Sequence, residues 1–246
     1  MVAYEFAAPK RPLSLSRASR WTGNLGIVVL NTALARLVFP ILPVGVALMA
    51  ADRGWGVLNS TDLPDGLAVI LAVVLLDLAI YVQHVLFHAA PLLWRLHRMH
   101  HADQDIDVTT GARFHPVEIL LSIAIKLAVV TALGAPAVAV IIFEVLLNAT
   151  AMFNHANVAI PAGFDRVLRW VVVTPDMHRV HHSEDHGETD SNFGFNLPWW
   201  DRLFRTYRDQ PKLGHQDMTI GLPIFRDPAD QRLDKMLVQP FRGIDN

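Results

Sequence analysis

The chain of 246 residues contains no cysteine. This absence excludes disulfides, thiolate zinc sites and cysteine-ligated iron–sulfur clusters. Charged residues are scarce too, at 18% of the chain against 52% hydrophobic residues, and the formal net charge is −2. A chain so close to neutral offers no basic surface, and we expect no nucleic-acid partner. The mean hydropathy of +0.31 instead indicates a protein embedded in a membrane.

Four apolar stretches are candidates to cross a bilayer, which takes about 20 apolar residues. The first contains Arg36, Pro40 and Pro43, so a kink is expected there. The last two are short and are joined by a tight-turn sequence at 134–136. The stretches are residues 22–50, 66–86, 117–133 and 137–153. The expected fold class is all-α, an integral membrane four-span helical bundle with a cytoplasmic histidine-rich helical cap.

The distribution of basic residues predicts the orientation of these spans. Residues 1–21 form a basic leader, expected to be cytoplasmic, whereas the 51–65 loop has one arginine against three aspartates. The positive-inside rule therefore places both termini and the 88–115 segment in the cytoplasm. No linker divides the chain, so residues 1–246 are expected to form one membrane-embedded domain, with a histidine-rich core at about 75–208.

Ten of the twelve histidines fall where the spans meet this cytoplasmic side. Two H-x-x-H-H triplets stand out, and helical positions i, i+3 and i+4 share one face, so each triplet is expected to point three imidazoles in one direction. The remaining pair, His186 and His215, is expected at the surface. The ten candidate metal ligands are His84, His88, His97, His100, His101, His115, His155, His178, His181 and His182.

The number of imidazoles predicts more than one metal ion. Neutral imidazole suits iron, zinc, copper and nickel, and a single ion takes no more than six such ligands, so the sequence predicts two metal ions. A dinuclear, cysteine-free site at a membrane surface favours oxygen activation by iron, because zinc has no redox chemistry. Two alternatives stay open at this point: a zinc-dependent membrane hydrolase, although H-E-x-x-H is absent, and a non-enzymatic metal- or haem-binding membrane protein.

Other polar residues predict local structure around this site. Thr174-Pro175-Asp176 is a helix-start signal, and Pro91 is expected to begin the helix of the first triplet in the same way. Residues 163–173 are expected to lie at the membrane interface. Lys126 and Glu144 are equidistant from the turn at 134–136, which predicts an ion pair between two spans.

Six further polar residues are candidates to orient the imidazoles from behind. Asp77 lies two helical turns before His84, and either orients an imidazole or pairs with Arg36. The six candidates are Asp77, Glu118, Asn157, Asp176, Glu188 and Asn192.

Taken together, these motifs resemble the fatty acid hydroxylase superfamily, and within it the bacterial sterol desaturase-like members. The resemblance covers about residues 75–208. It rests on Asp77-x-x-x-Tyr-x-x-His-x-x-x-His88, Leu92-Leu-Trp-Arg-Leu-His-Arg-Met-His-His101, Asp107-Val-Thr-Thr-Gly-Ala-Arg-Phe-His-Pro-Val-Glu118, Phe153-Asn-His-Ala-Asn157, Thr174-Pro-Asp-Met-His-Arg-Val-His-His-Ser183 and Glu188-Thr-Asp-Ser-Asn192.

This resemblance implies an integral membrane enzyme that uses two iron ions, O2 and two electrons to hydroxylate or desaturate a C–H bond of a lipid such as a sterol or fatty acyl chain. The family's metal-binding positions fall on the two triplets and on His84 and His88, with His115 and His155 as further members. Many relatives carry a second histidine four residues after the one at His155, where this chain has Ala159. A hydrophobic lipid from the bilayer is the implied substrate. A separate electron-donor protein, a ferredoxin or a cytochrome with its reductase, is the implied partner.

Overall fold

A computed structural model describes residues 1–243, and within that range the protein is helical, with two isolated β-bridges, Pro9–Val158 and Ser183–Ile220, and no strand. The helices are α1 (Val2–Ala7), α2 (Arg17–Val38), α3 (Pro43–Arg53), α4 (Asp65–Ala89), α5 (Pro91–His101), α6 (Pro116–Leu133), α7 (Ala137–Asn154), α8 (Ala162–Leu168), α9 (Pro175–His181), α10 (His186–Thr189), α11 (Trp199–Leu203), α12 (Gly214–Asp217) and α13 (Leu233–Val238). Short 3₁₀ turns cover Leu58–Ser60, Thr110–Ala112, Pro228–Gln231 and Gln239–Phe241.

Four helical segments in this range are long and apolar enough to cross a membrane, which confirms the expected all-helical fold with four spans. They are α2 together with α3, then α4, α6 and α7. Helices α6 and α7 have 18 residues each, about 27 Å of helix, which only just matches a hydrocarbon core of about 30 Å. Their outward-facing side chains are large and apolar, as expected of a lipid-facing surface; Leu121, Ile125, Ile141 and Val145 are exposed examples.

The first apolar stretch is broken rather than kinked. Phe39 and Leu42, which precede the two prolines, both have extended backbones, and Pro43 begins a new helix. A residue that precedes proline is driven out of the α region, and two such residues within four positions end the helix. Helices α2 and α3 therefore form one interrupted crossing.

The far end of the bundle is closed by the turn between α6 and α7. Gly134 ends α6 with φ +63°, and a Cβ there would lie 2.5 Å from the carbonyl oxygen of Trp55. Only glycine combines this left-handed backbone with so close an approach. Small side chains let α3, α4, α6 and α7 pack closely around a core that includes Ala47, Ala72, Ala139 and Phe143.

Lys126 and Glu144 form the expected ion pair across this hairpin. The Nζ of Lys126 donates to Oε1 of Glu144 over 2.7 Å. The prediction from their equal distance to the turn is confirmed. The pair avoids two isolated charges inside apolar spans.

The opposite end of the bundle carries the histidines. They lie at the C-terminal ends of α4 and α7 and on the short helices α5 and α9. Pro91 and Pro175 occupy the first turns of α5 and α9, and the Thr174 hydroxyl accepts the backbone N–H of Met177, as expected for a helix start. Residues 190–243 wrap around this layer.

The basic N-terminal residues are built into the histidine layer. The buried carboxylate of Glu5 accepts the backbone N–H groups of Val108 and Asn157 over 3.0 and 2.7 Å. Arg20 is fully buried and pairs with Asp103 and Asp107 over 2.7 and 2.5 Å. The segment expected as a leader therefore ties α1 and α2 to the loop that follows α5.

Candidate metal centre

Nine of the ten candidate histidines gather into two adjacent groups. Within each group, one ring nitrogen per residue lies within 4.8 Å of every other. Eight of these nine residues are buried and His88 is half-buried. Group 1 consists of His84, His88, His97, His101 and His181, and group 2 consists of His100, His155, His178 and His182.

Each triplet is divided between the two groups instead of facing one way. In the first triplet, His97 and His101 belong to group 1 and His100 to group 2; in the second, His178 and His182 belong to group 2. The i and i+4 residues stay together, because 3.6 residues per turn separate them by about 40° around the helix. The i+3 residue is about 100° from the i+4 residue and is directed to the other group.

The Nδ1 atoms of several imidazoles are fixed by carbonyl oxygens. A carbonyl only accepts, so each of these Nδ1 atoms carries the proton and leaves Nε2 as a lone-pair donor for a metal. The four bonds run from His84 to Phe193 O at 2.8 Å, from His181 to Ser191 O at 2.8 Å, from His155 to Ala151 O at 2.7 Å and from His100 to Arg113 O at 3.2 Å.

Two carboxylates hold imidazoles of group 1 in the same way. The Nδ1 of His97 donates to Oε1 of the buried Glu118 over 2.6 Å, and the Nδ1 of His88 lies 3.2 Å from Oδ1 of Asp190. A carboxylate behind an imidazole fixes its ring and increases its basicity as a ligand. The sequence predicted Glu118 as a residue that orients an imidazole. It did not identify Asp190, although Asp190 lies between two other candidates, Glu188 and Asn192.

Each group contains two Nε2 atoms that meet without a proton between them, and in group 2 the Nε2 of His178 also lies 3.1 Å from that of His155. The Nε2 atoms of His84 and His97 are 3.1 Å apart, and those of His100 and His155 are 3.2 Å apart. All four residues have a protonated Nδ1, so at each contact two lone pairs face one another. A cation resolves this repulsion. Two imidazoles bound at about 2.1 Å and at right angles on one ion place their nitrogens about 3 Å apart.

Further ring nitrogens are buried without any hydrogen-bond partner. They include Nε2 of His88, His101, His181 and His182. Buried polar atoms are almost always hydrogen-bonded, and an exception calls for an ion or a ligand. Nitrogen donors without cysteine suit iron, zinc, copper and nickel. The residues present therefore fit a pair of metal ions.

Burial keeps these imidazoles neutral. Desolvation lowers the pKa of His155 to about 4 and that of His181 to about 3. Burial also lowers the pKa values of His100, His101, His178 and His182 well below the ordinary value, and neighbouring imidazoles add to the effect. A neutral imidazole is the form that binds a metal.

His115 lies apart from both groups. Its Nδ1 accepts the backbone N–H of Val117 at the start of α6, and its Nε2 faces Leu237 O at 3.3 Å. With both ring nitrogens used in this way, the residue acts as a helix cap, and we leave it out of the proposed ligand set.

Asp77 and Asn157 have structural partners rather than imidazoles. Asp77 accepts the indole N–H of Trp200 over 2.8 Å and the backbone N–H of Leu197 over 3.3 Å. Neither of its expected partners, an imidazole or Arg36, contacts it within residues 1–243. Asn157 exchanges hydrogen bonds with the backbone of Arg11. Both residues fasten loops around the histidine layer.

The other three candidates also support loops. Asp176 pairs with Lys10 over 2.6 Å and with Arg179. The Oε1 of Glu188 accepts the backbone N–H of Lys212. Asn192, which has φ +52°, bonds to backbone groups of Met177 and Arg208 and so joins α9 to the wrapping segment.

The two histidines outside the pattern differ in burial. His186 is exposed, as expected. His215 is not a surface residue, because its side chain is only 9% exposed and lies 3.8 Å from Asp176.

A cavity of about 360 Å³ opens between α2, α4, α6 and α7 and reaches group 1. Two of the group 1 ligands, His84 and His97, line it together with Glu118. Phe114 and Phe195 form part of its wall, and the Phe114 ring stacks on His100 at 4.5 Å. A molecule in this cavity lies beside group 1, whereas group 2 is behind it.

Comparison with known proteins identifies relatives of this chain. The family model described as fatty acid hydroxylase matches residues 69–206. Ornithine lipid hydroxylase OlsE from Rhizobium tropici is 31% identical over 178 residues, which cover 72% of this chain and 51% of that protein. Alkylglycerol monooxygenases from Xenopus tropicalis and Homo sapiens are 29% and 26% identical over 132 residues, covering 53% of this chain and 28% of each protein.

The chain thus spans about half the length of the first of these relatives and about a quarter of the other two. No solved structure matches it.

Proposed function

Because the chain belongs to the fatty acid hydroxylase family, we propose that it is a membrane enzyme that oxidises a C–H bond of a lipid with O2 at a di-iron centre. The observation that carries the proposal is the pair of lone-pair contacts, His84 with His97 and His100 with His155, one in each histidine group. Relatives named as an ornithine lipid hydroxylase and as alkylglycerol monooxygenases support lipid oxidation.

The proposed ligands are the nine clustered histidines, with five on one ion and four on the other. Iron would supply the redox chemistry with O2 that an unactivated C–H bond requires. Hydroxylation consumes O2, two electrons and two protons, and yields an alcohol and water. The two electrons would come from a separate protein, a ferredoxin or a cytochrome with its reductase.

The protein's own residues prepare this site. Glu118 and the backbone carbonyls hold the imidazoles at fixed angles, so little rearrangement accompanies metal binding. Phe114 and Phe195 keep water away from the side of group 1 that faces the cavity. A lipid carbon bound in the cavity would lie beside His84 and His97, which line it.

The proposed location is a bacterial inner membrane with both termini and the metal site in the cytoplasm. Its support is the excess of lysine and arginine on the histidine side. The exposed aromatic side chains of Phe164, Trp170, Trp199 and Phe204 suit the boundary between lipid and water on that side. We propose one domain for residues 1–246.

Metal analysis and product analysis test the proposal together. Protein purified anaerobically should hold two iron ions per chain, and with O2 and a chemical reductant it should add oxygen to lipids of a membrane extract. A matched His100→Ala preparation serves as the control for background oxidation. Stoichiometric zinc without iron would contradict the proposal.

A further inference from the structure

The cavity beside group 1 is lined by a continuous row of polar side chains. Glu118, Ser122 and Lys126 lie four residues apart on α6, so they share one face of that helix, and all three line the cavity. Eight residues separate the first from the last, which is about 12 Å along the helix. A tunnel for a hydrocarbon chain has no need of such a row inside an apolar bundle.

Three hydrogen-bond acceptors in this cavity wall have no partner among residues 1–243. They are Oδ1 of Asn31, Oε1 of Gln83 and Oε2 of Glu118, all buried. Asn31 and Glu118 are only 7% and 4% exposed. Buried acceptors are rarely left unpaired, so three around one cavity indicate a ligand that provides donors.

Each of these amides already uses one N–H of its NH2 group within the protein. The Nδ2 of Asn31 donates to Phe114 O over 2.9 Å, and the Nε2 of Gln83 donates to Ser122 over 2.9 Å. Because the nitrogen of each amide points to its hydrogen-bond partner, Oδ1 of Asn31 and Oε1 of Gln83 point away from Phe114 O and Ser122. The structure therefore offers acceptors to the ligand, and the Glu118 carboxylate adds a negative charge.

Lys126 and Glu144 line the same cavity farther from the histidines. They neutralise each other, so Glu118 is the remaining acidic side chain that lines the cavity. A cavity of 360 Å³ is of the size of small-molecule pockets, about 300–1,000 Å³, and takes one end of a lipid rather than the whole molecule.

We propose that this cavity binds the polar head of a lipid, a head that carries N–H or O–H donors, with Asn31, Gln83 and Glu118 as its acceptors. The carbon beside group 1 then belongs to the head or to the few atoms next to it, not to the middle of an acyl chain. The inference rests on the proposed function for what happens to that carbon, but the binding itself does not.

Binding of three short amphiphiles tests the proposal. The probes are octylammonium, octyltrimethylammonium and octyl methyl ether, titrated calorimetrically into metal-loaded protein in nanodiscs under argon without reductant. The two cations differ in N–H donors and not in charge. We expect octylammonium to bind at least about tenfold more tightly than either of the others. Equal binding of the two cations, or tightest binding of the ether, would overturn the proposal.

Variants identify the acceptors. Asn31→Leu and Gln83→Met should each reduce the preference for octylammonium over octyltrimethylammonium several-fold. Thr32→Val is the matched control: Thr32 also lines the cavity, but its hydroxyl bonds to Val28 O in its own helix over 2.8 Å, so the preference should not change. Gln83 is only half-buried, so its variant remains informative if Asn31→Leu does not fold. An unchanged preference in Gln83→Met would contradict the assignment.

Tandem mass spectrometry of oxidised membrane lipids separates this inference from the proposed function. Added oxygen on fragments that contain the head supports both. Oxygen on acyl fragments contradicts this inference and leaves the enzyme activity standing. If no lipid is oxidised while the binding preference holds, the proposed function fails and the head-binding cavity remains.

Discussion

The Nδ1–H of His97 donates to Oε1 of Glu118 over 2.6 Å, and both residues are buried beside the cavity. This bond joins α5 to α6 and fixes the Nε2 of His97 toward the Nε2 of His84, 3.1 Å away. The Glu118 carboxylate therefore determines which ring nitrogen of His97 carries the proton and in which direction the other nitrogen, the proposed metal ligand, points.

Glu118→Gln should weaken metal binding at group 1. A neutral amide still accepts the Nδ1–H but no longer raises the basicity of the ring, and loss of such a carboxylate costs about 10–100-fold in affinity. Iron retained after graded dialysis against a chelator measures the effect. Asp234→Asn is the control, since Asp234 is exposed and pairs only with Arg232. Equal retention by both variants would show that Glu118 does not support the metal.

Neighbouring histidines of one triplet should affect different metal ions. His100→Ala removes a ligand of group 2 and His101→Ala removes one of group 1, so each variant should lose about one ion and keep the other. Iron per chain, read with the Mössbauer spectrum, distinguishes a lone iron from a pair. The exposed His186→Ala should keep both ions. If all nine histidines instead formed one shared site, both variants should lose the same amount of iron and give the same Mössbauer spectrum.

The division of each triplet between the two groups could not be predicted from the sequence. The spacing i, i+3, i+4 predicts three imidazoles that point one way, but about 100° around the helix separates His100 from His101, and the two belong to different groups. That angle matters only once a second helix, α9, supplies the facing triplet. The sequence predicts two metal ions, but the division of the histidines into two groups depends on how α4, α5, α7 and α9 meet.

The backbone carbonyls that bond to the imidazoles cannot be predicted from the sequence. The carbonyls of Phe193, Ser191, Ala151 and Arg113 fix four imidazoles, and any residue type could supply them. His115 shows a related ambiguity, because a histidine before proline suits a helix cap as well as a ligand. By contrast, the spans, the helix starts at Pro91 and Pro175 and the Lys126–Glu144 pair follow from local pattern, and the structure confirms them.

The metal-free protein should lose stability as the pH falls below about 6.5. Burial lowers the pKa of His155 to about 4 and of His181 to about 3, so between 6.5 and those values the unfolded chain binds protons that the folded chain does not. Stability is then fully present above 6.5, and each of these histidines removes up to about 1.4 kcal/mol per pH unit below it. Thermal unfolding of chelator-treated protein in detergent at pH 7.5, 6 and 5 measures this slope. A melting temperature independent of pH over that range would mean that the imidazoles are already charged in the fold.

The Lys126–Glu144 pair should show strong coupling in a double-mutant cycle. Lys126→Met or Glu144→Gln alone leaves one charge inside the spans, and each should destabilise the protein by about 1–3 kcal/mol. The double variant removes both charges and should cost clearly less than the sum of the single variants. Thermal unfolding of the wild type, the two single variants and the double variant in one detergent measures the coupling. The exposed Arg232–Asp234 pair is the matched control, with an expected coupling of about 0–1 kcal/mol. Additive losses at Lys126 and Glu144 would mean that water or headgroups reach these charges separately, and that the hairpin does not depend on their pairing.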